Sequence, residues 1–391
     1  MYQRDVTELF KVLMEQFPIV TIMGPRQSGK TTLVRKTYPK KAYFNLEEPD
    51  TRALILEDPR KLFYQHPEGI ILDEIQRAPE LLSYMQSIVD ENQTPGQYIL
   101  TGSHQLQLHE AITQSLAGRT ALIELYPLSL HELSEHITEK SLDELLIDGF
   151  FPAVYAKNIP ATTLHRNYVK TYIERDVRQI IAVKDLDSFQ RFVQLCAGRV
   201  GSVLNLESLS NDVGVSNNTI KNWMSALQAS FIIYRLRPYY ENFGKRIIKA
   251  PKLYFTDVGQ VSYLLGLETA VQVAREKLRG ALFENLVLLE LIKTYTNRGK
   301  EPHLYYYRDN HQNEVDIILK ARNALIPIEV KSTSTYSSAL LQNLKFYQAL
   351  VGERMPFGFL VYAGEKEQQI GNFYLVNYKN VHQIYDMIQG I

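Results

Sequence analysis

Only one cysteine, Cys196, stands in the 391 residues of this chain. That excludes an intramolecular disulfide and a zinc site built on cysteines, and it agrees with a reducing compartment. Net charge is missing as well: 43 Lys and Arg balance 43 Asp and Glu. Any nucleic-acid contact must therefore come from a local patch rather than a global basic excess. No apolar run approaches the roughly 18 residues a spanning helix needs. The nearest, "LFENLVLLELI", is broken by Glu284, Asn285 and Glu290. The opening "MYQRDVTELF" mixes charges and has no apolar stretch, so no secretory signal is expected. Low-complexity tracts and repeats of solenoid period are also lacking. What is left is the expectation of a cytoplasmic globular protein without a membrane partner. Its 45% hydrophobic and 22% charged residues are ordinary for that class, and its length suits two or three domains.

The first third carries the strongest motif. "PIVTIMG" is short, apolar and β-branched, as a buried parallel strand would be. "GPRQSGKTT" follows, then a helical pattern, which is the strand–loop–helix context that a phosphate-binding G-x-x-x-x-G-K-[ST] loop requires. The loop residues Gly24, Pro25, Arg26, Gln27, Ser28, Gly29, Lys30, Thr31 and Thr32 are the candidate ATP-binding set. Backbone N–H groups would wrap the phosphates at a helix N-terminus, and Gly29 would let the backbone come close. Lys30 would reach the β and γ phosphates, and Thr31 would offer its hydroxyl to Mg²⁺. "KAYFNLEE" reads as a second strand. "GIILDEIQRAPE" gives a third, ending in Asp73-Glu74. Asp73 is expected to hold Mg²⁺ and Glu74 to orient and deprotonate the attacking water. "QYILTGSHQL" reads as a fourth strand with Thr101 and Ser103 just past its end, where ligands bind in open α/β sheets. "SLAGRTALIELYPLSLHEL" supplies Arg119, a fifth strand and a helix. Arg119 is a candidate for the arginine that stabilises transition-state charge, from its own chain or, with oligomerisation, from a neighbour.

Together, "GPRQSGKTTL", "ILDEIQRAPELL", "LTGSHQL" and "LAGRTALIELYPLSLHEL" resemble the AAA-type ATPase core of a large bacterial and archaeal family of ATP-binding proteins. The resemblance is strongest before residue 135 and extends to about residue 390. It implies an α/β fold: a P-loop NTPase domain, a parallel sheet with helices on both faces, over 1–140. It also implies a second, C-terminal domain of unknown function.

The middle of the chain is expected to be helical. "SLDELLIDGFFPAVY" reads as a linker, and "TLHRNYVKTYIERDVRQIIAV" as one long packing helix with a solvated charged face holding Arg175 and Asp176. Residues 141–197 form this helical linker region. Residues 198–256 fit a winged helix-turn-helix. "LESLSNDVG" would be its first helix, Ser216 would cap the second, and "FIIYRLRPYY" and "RIIKAPKLYFT" would be wing strands. Gly198 to Lys252 holds eight Lys or Arg against three Asp or Glu, which supports phosphate contacts. The second helix would expose Asn217, Asn218, Thr219, Lys221 and Asn222 to DNA, whereas Trp223 belongs to the core. A protein partner is the alternative for this module.

Residues 257–391 are expected to form a restriction-endonuclease-like α/β domain: a helix, a three-strand meander from "HLYYYRD", "NEVDIILK" and "LIPIEVKS", a helix and a further strand. Asp316 and Glu329, with twelve residues between them, resemble the D…E-x-K nuclease signature completed by Lys331. The two acids would ligate Mg²⁺, Lys331 would position water, and Glu284 would be an extra ligand or a supporting acid. Three outcomes are open. One is an ATPase whose nucleotide state governs a DNA- or partner-binding C-terminal region. The others are an ATP-regulated, metal-dependent DNA nuclease and a non-catalytic ATP-gated switch.

Overall fold

The β-branched runs picked out above fold as strands, and the glycines and acids that follow them fall at strand exits. The coordinates are a computed structural model of the chain, and residues 2–103, 115–177, 185–239 and 250–389 are described, the side chains of residues 174–177 excepted. The chain divides into two compact units. One comprises Met1–Leu128 with Ala229–Phe231 and Thr296–Lys300; the other holds Ser129–Gln228, Ile232–Tyr295 and Glu301–Ile391. Among the described residues no helix is long and apolar enough to cross a membrane.

The first unit is a parallel five-stranded sheet. Its strands are β1 (Ile19–Met23), β2 (Ala42–Asn45), β3 (Ile70–Asp73), β4 (Tyr98–Gly102) and β5 (Thr120–Glu124), in the order β2-β3-β4-β1-β5. Every residue of β1, β3 and β4 is buried, which is why these three read as continuous apolar runs rather than alternating ones. Phe10 and Met14 of the Thr7–Gln16 helix and Leu33 and Val34 of the Lys30–Thr37 helix close over Val20, Ile22, Ile71 and Ile99. Because the strands are parallel, the exits of β1, β3 and β4 lie on one edge. Thr101 lies within β4 rather than past its end. The helix expected after β5 does not form. Ser129 and Glu132 bond reciprocally, main chain to side chain, at 2.9 and 3.0 Å, and a 3-10 turn over Ser134–His136 follows.

In the second unit the stretch read as a linker is instead a packed helix. Leu142–Asp148 is closed by a capping box between Ser141 and Glu144, and it buries Leu142, Leu145, Leu146 and Ile147. The long helix read after it starts as an α-helix over Ala161–Tyr168 and widens to π geometry over Val169–Val177. The side chains of Arg175 and Asp176 lie outside what is described. The helices Leu206–Val213 and Asn217–Ala229 follow, separated by a turn at Gly214, and Ser216 Oγ accepts the Thr219 N–H at 3.1 Å. Trp223 is core, edge-on to Phe189 with ring centroids 5.2 Å apart. β6 (Ile233–Leu236) pairs antiparallel with β7 (Lys252–Phe255).

The Arg279–Thr296 helix then leads into a mixed six-stranded sheet. β8 (Leu304–Arg308), β9 (Glu314–Ala321) and β10 (Ala324–Lys331) form an antiparallel meander. The Gln342–Val351 helix crosses over to β11 (Gly358–Tyr362), which is parallel to β10. β12 (Gln368–Ile370) and β13 (Phe373–Asn377) complete the order β12-β13-β11-β10-β9-β8. Ile318, Leu325, Leu344, Tyr347 and Leu360 form the core between the crossover helix and the sheet.

Candidate functional site

The exit of β1 is built for close approach. A Cβ on Gly24 would run into the carbonyl oxygen of Leu125, so only glycine fits there. Gly29 stands at the start of the Lys30–Thr37 helix with φ 97°, a left-handed conformation that costs glycine nothing, and no side chain caps that helix. Its first N–H groups are therefore available to an anion. Lys30 Nζ turns back on the loop and donates to the carbonyls of Gly24 at 2.9 Å and Pro25 at 2.8 Å. Burial pulls the Lys30 ammonium down to about 8, against the opposing pull of Glu74 and Asp73. Ser28 Oγ is buried and has no partner among the described residues. The main chain of the loop is held from behind by Arg4, which donates to the carbonyls of Ser28 and Tyr126, both at 2.7 Å. Arg26 lies 3.5 Å from Glu47, Gln27 has φ 63°, and Thr32 is exposed.

Three hydroxyls converge on the acid at the end of β3. Thr31 Oγ1 donates to Asp73 Oδ2 at 2.8 Å, Tyr43 OH donates to the same oxygen at 2.6 Å, and Thr101 Oγ1 donates to Oδ1. Burial and the Asp73 bond together push the Tyr43 phenol well above its ordinary range. Glu74 follows at φ 58°, ψ 47°, a left-handed turn that takes the chain off the strand. Its Oε2 accepts from Ser103 Oγ at 3.1 Å and from Gln76 Nε2. The structure thus brings Lys30, Thr31, Asp73, Glu74 and Ser103 to one sheet edge. The donor set suits Mg²⁺: a hydroxyl and a carboxylate in contact, the carboxylate bonded only by neutral groups. Tyr43 and Gln76 were missed in the sequence. Tyr43 sits mid-strand in a run with no motif, and Gln76 reads as an ordinary polar turn residue.

Arg119 is a correction. Thr120 pairs with Ile19 at the start of β1, so Arg119 lies at the sheet edge opposite the phosphate loop. Five strand residues at about 3.3 Å each put roughly 16 Å between them. Its guanidinium instead forms a two-pronged pair with Asp90, at 2.6 and 2.8 Å. It cannot serve a nucleotide in its own chain.

The second unit gathers its own acids. Asp316 on β9 and Glu329 on β10 are 9% and 0% exposed. Lys331 Nζ lies 2.6 Å from Glu329 Oε1 and 3.6 Å from Asp316 Oδ2. The Val330 N–H donates to Asp316 at 2.8 Å, and Asn343 Nδ2 donates to Glu329 at 2.8 Å. Glu329 Oε2 is buried without a partner among the described residues. Burial, then Asp316, pushes the Glu329 carboxyl up to about 8. Glu284, expected as an extra ligand or a supporting acid, is held by other groups: its Oε1 accepts from Lys252 Nζ at 2.8 Å and from Tyr254 OH. Lys252 also lies 2.5 Å from Glu314. Burial, opposed by Lys252 and assisted by Asp316, lifts Glu284 to about 7. Among the described residues no three His, Cys, Asp or Glu side chains form a metal-binding group. The donor set that remains is Asp316 with the open oxygen of Glu329. Two carboxylates suit Mg²⁺ when water and a substrate phosphate complete the shell.

On and before the Asn217–Ala229 helix, Asn217, Asn218, Lys221 and Asn222 are exposed, and Thr219 is half-buried with its hydroxyl 2.8 Å from Ser216 Oγ. Arg235 is half-buried and bonded to Gln228, which leaves Arg237 as the exposed arginine of β6 and its exit.

Residues 16–134 match the model of an AAA domain. Residues 139–271 and 279–381 match two domains of unknown function, DUF8612 and DUF4143. The uncharacterized protein Rv2008c of Mycobacterium tuberculosis is 28% identical over 93% of this chain and 80% of its own length. The uncharacterized protein MJ1637 of Methanocaldococcus jannaschii is 24% identical over 85% of this chain and 80% of its own length. Among solved structures, the Walker-type ATPase PABY2304 of Pyrococcus abyssi aligns with 68% of this chain and 96% of its own. The identity there is 14% and the TM-score 0.41.

Proposed function

We propose that this chain, which joins an AAA domain of the P-loop ATPase type to a C-terminal domain of unknown function, binds ATP with Mg²⁺ and hydrolyses it. The observation that carries the reading is the contact of Thr31 with Asp73 at 2.8 Å, beneath an uncapped helix N-terminus and next to Glu74. The N–H groups of the loop and the ammonium of Lys30 would hold the phosphates, Lys30 exchanging two carbonyls for phosphate oxygens. Thr31 and Asp73 would hold Mg²⁺, which supplies positive charge against the phosphates. Glu74 would take the proton of the attacking water, and Ser103 keeps its carboxylate turned to the same edge. Titration calorimetry with ATP and Mg²⁺ tests the binding half. The chain should bind ATP, and Lys30→Ala should lose it. Unchanged affinity in that variant would remove the phosphate-loop assignment.

A second reading concerns the C-terminal domain. Lys331 between Asp316 and Glu329, with an open Glu329 oxygen, supports a nuclease-like site that takes one divalent cation and a phosphodiester. The helix-turn-helix and its strand pair would supply a winged-helix DNA contact through Asn217, Asn218 and Lys221. The nucleotide state of the ATPase would govern this region. Supercoiled plasmid incubated with the full chain and Mg²⁺ or Mn²⁺, with and without ATP, tests it. Nicking that Asp316→Ala abolishes supports a nuclease. ATP-sensitive DNA retention without nicking supports a binding switch.

A further inference from the structure

The edge that carries Glu74 holds one more polar side chain than the phosphate-loop pattern accounts for. Gln76 sits in the 3-10 turn Ile75–Arg77 that follows the left-handed Glu74. Ile75 is fully buried and anchors that turn. The reversal at Glu74 returns the side chain of residue 76 to the sheet edge. There its Nε2 donates to Glu74 Oε2 and, at 3.2 Å, to Ser103 Oγ. A carboxylate only accepts hydrogen bonds, so the amide end facing Glu74 must be the NH₂. The carbonyl end is thereby fixed as well, and Gln76 Oε1 is buried with no partner among the described residues. A buried amide oxygen without a donor is costly, and one beside a carboxylate at an ATP site has an obvious donor to meet. An amide suits the position because it both donates to Glu74 and accepts from water; a second carboxylate would repel Glu74, and an apolar group would do neither.

Resting on the ATPase reading above, we propose that Gln76 is a catalytic residue of ATP hydrolysis, its Nε2 fixing the Glu74 carboxylate and its Oε1 accepting a hydrogen bond from the attacking water. In that step the water oxygen bonds to the γ-phosphorus, and the bond from that phosphorus to the β–γ bridging oxygen breaks. ADP leaves with the electron pair, and the water proton passes to Glu74. With both hydrogens of the water held by acceptors, a lone pair of its oxygen is aimed at phosphorus before the reaction begins.

Single-turnover hydrolysis by the full chain with Mg²⁺ and ATP tests this, beside Gln76→Met, which keeps length and removes the amide. The expected loss in rate is roughly a hundredfold, with affinity for ATP and Mg²⁺ changed by less than about twofold. In a Glu74→Gln background the same change should add no further loss, since the two side chains act on one water. An unchanged rate in Gln76→Met overturns the proposal. So does a loss that is fully additive to Glu74→Gln, or one traceable to lost ATP binding. If Gln76→Met does not fold, Gln76→Asn, which retracts the amide by one methylene, carries the same expectations. Absence of hydrolysis by the unmodified chain would instead remove the ATPase reading itself, a result seen before any variant is made.

Discussion

Asp73 and Glu329 are both buried carboxylates on sheet strands, 4% and 0% exposed, yet their neighbours differ in kind. Asp73 is bonded by three neutral hydroxyls, those of Thr31, Tyr43 and Thr101. Glu329 is bonded by the ammonium of Lys331 and the amide of Asn343. Hydroxyls orient an acid and leave its full charge for an incoming cation. Around Glu329, burial and Asp316 push the carboxyl up, and Lys331 opposes that push. On the proposed reading, the first site would receive Mg²⁺ without rearranging. The second must rearrange, Lys331 giving way or Glu329 losing its proton, before a cation can use both acids.

The sharpest way to break that contrast is to remove the charge from each acid. Asp73→Asn should lower Mg²⁺-dependent ATP turnover by on the order of a thousandfold, because the acid supplies the charge that holds the metal. In the second unit Glu329→Gln should leave the fold intact and remove the pH dependence that the buried carboxyl imposes. Its folded value is about 8 against an ordinary 4.5, so the folded chain binds the proton more tightly. Stability from this group is therefore fully present below about 4.5 and is lost as pH rises through 8. Glu284, lifted to about 7, adds to the same window. Thermal unfolding in chelator should show melting of the native chain falling from pH 5 to pH 8, and Glu329→Gln flattening part of that fall. An equal fall in both would mean that Glu329 is already ionised.

A smaller effect is expected at Tyr43. Tyr43→Phe deletes one of the hydroxyls on Asp73 Oδ2, and a hydrogen bond to a charged group is worth about 1.5–3 kcal/mol. The Mg²⁺ concentration for half-maximal turnover should shift by about tenfold or more, with ATP affinity in chelator unchanged; no shift would mean Asp73 is held without it. The pH profile of ATP binding sharpens the same site. Lys30 is charged below about 8, so the affinity read by titration calorimetry should fall as pH rises above that point. The smallest change is expected at Arg119, whose partner Asp90 is exposed and whose edge is opposite the phosphate loop. Arg119→Ala should alter turnover by less than about twofold.

What could be read from residues alone divides along the same line. The phosphate loop and Asp73-Glu74 were legible because the chemistry fixes their spacing within a few residues of one strand exit. Strands β1, β3 and β4 were legible because buried parallel strands are apolar runs. The order of helix, meander, helix and strand in the second unit was legible from its alternation of apolar runs. Tyr43, Gln76, Thr101 as a partner of Asp73, and Lys252 were not, since each reaches its acid from another strand or from across a turn. Sequence spacing carries no information about such lateral contacts. The same blindness misplaced Arg119: it precedes a strand, and only the register of β5 against β1 reveals which edge it occupies. Glu284 was placed near the acids, but its bonds to Lys252 and Tyr254 depend on how β7 meets the Arg279–Thr296 helix.

Multiple-turnover hydrolysis of ATP by the full chain, with Mg²⁺ and then with chelator, beside Glu74→Gln, tests the central claim most directly. The account predicts phosphate release that requires Mg²⁺ and disappears in Glu74→Gln, while that variant still binds ATP. Phosphate release at the native rate from Glu74→Gln, or none from the native chain in Mg²⁺, would contradict it.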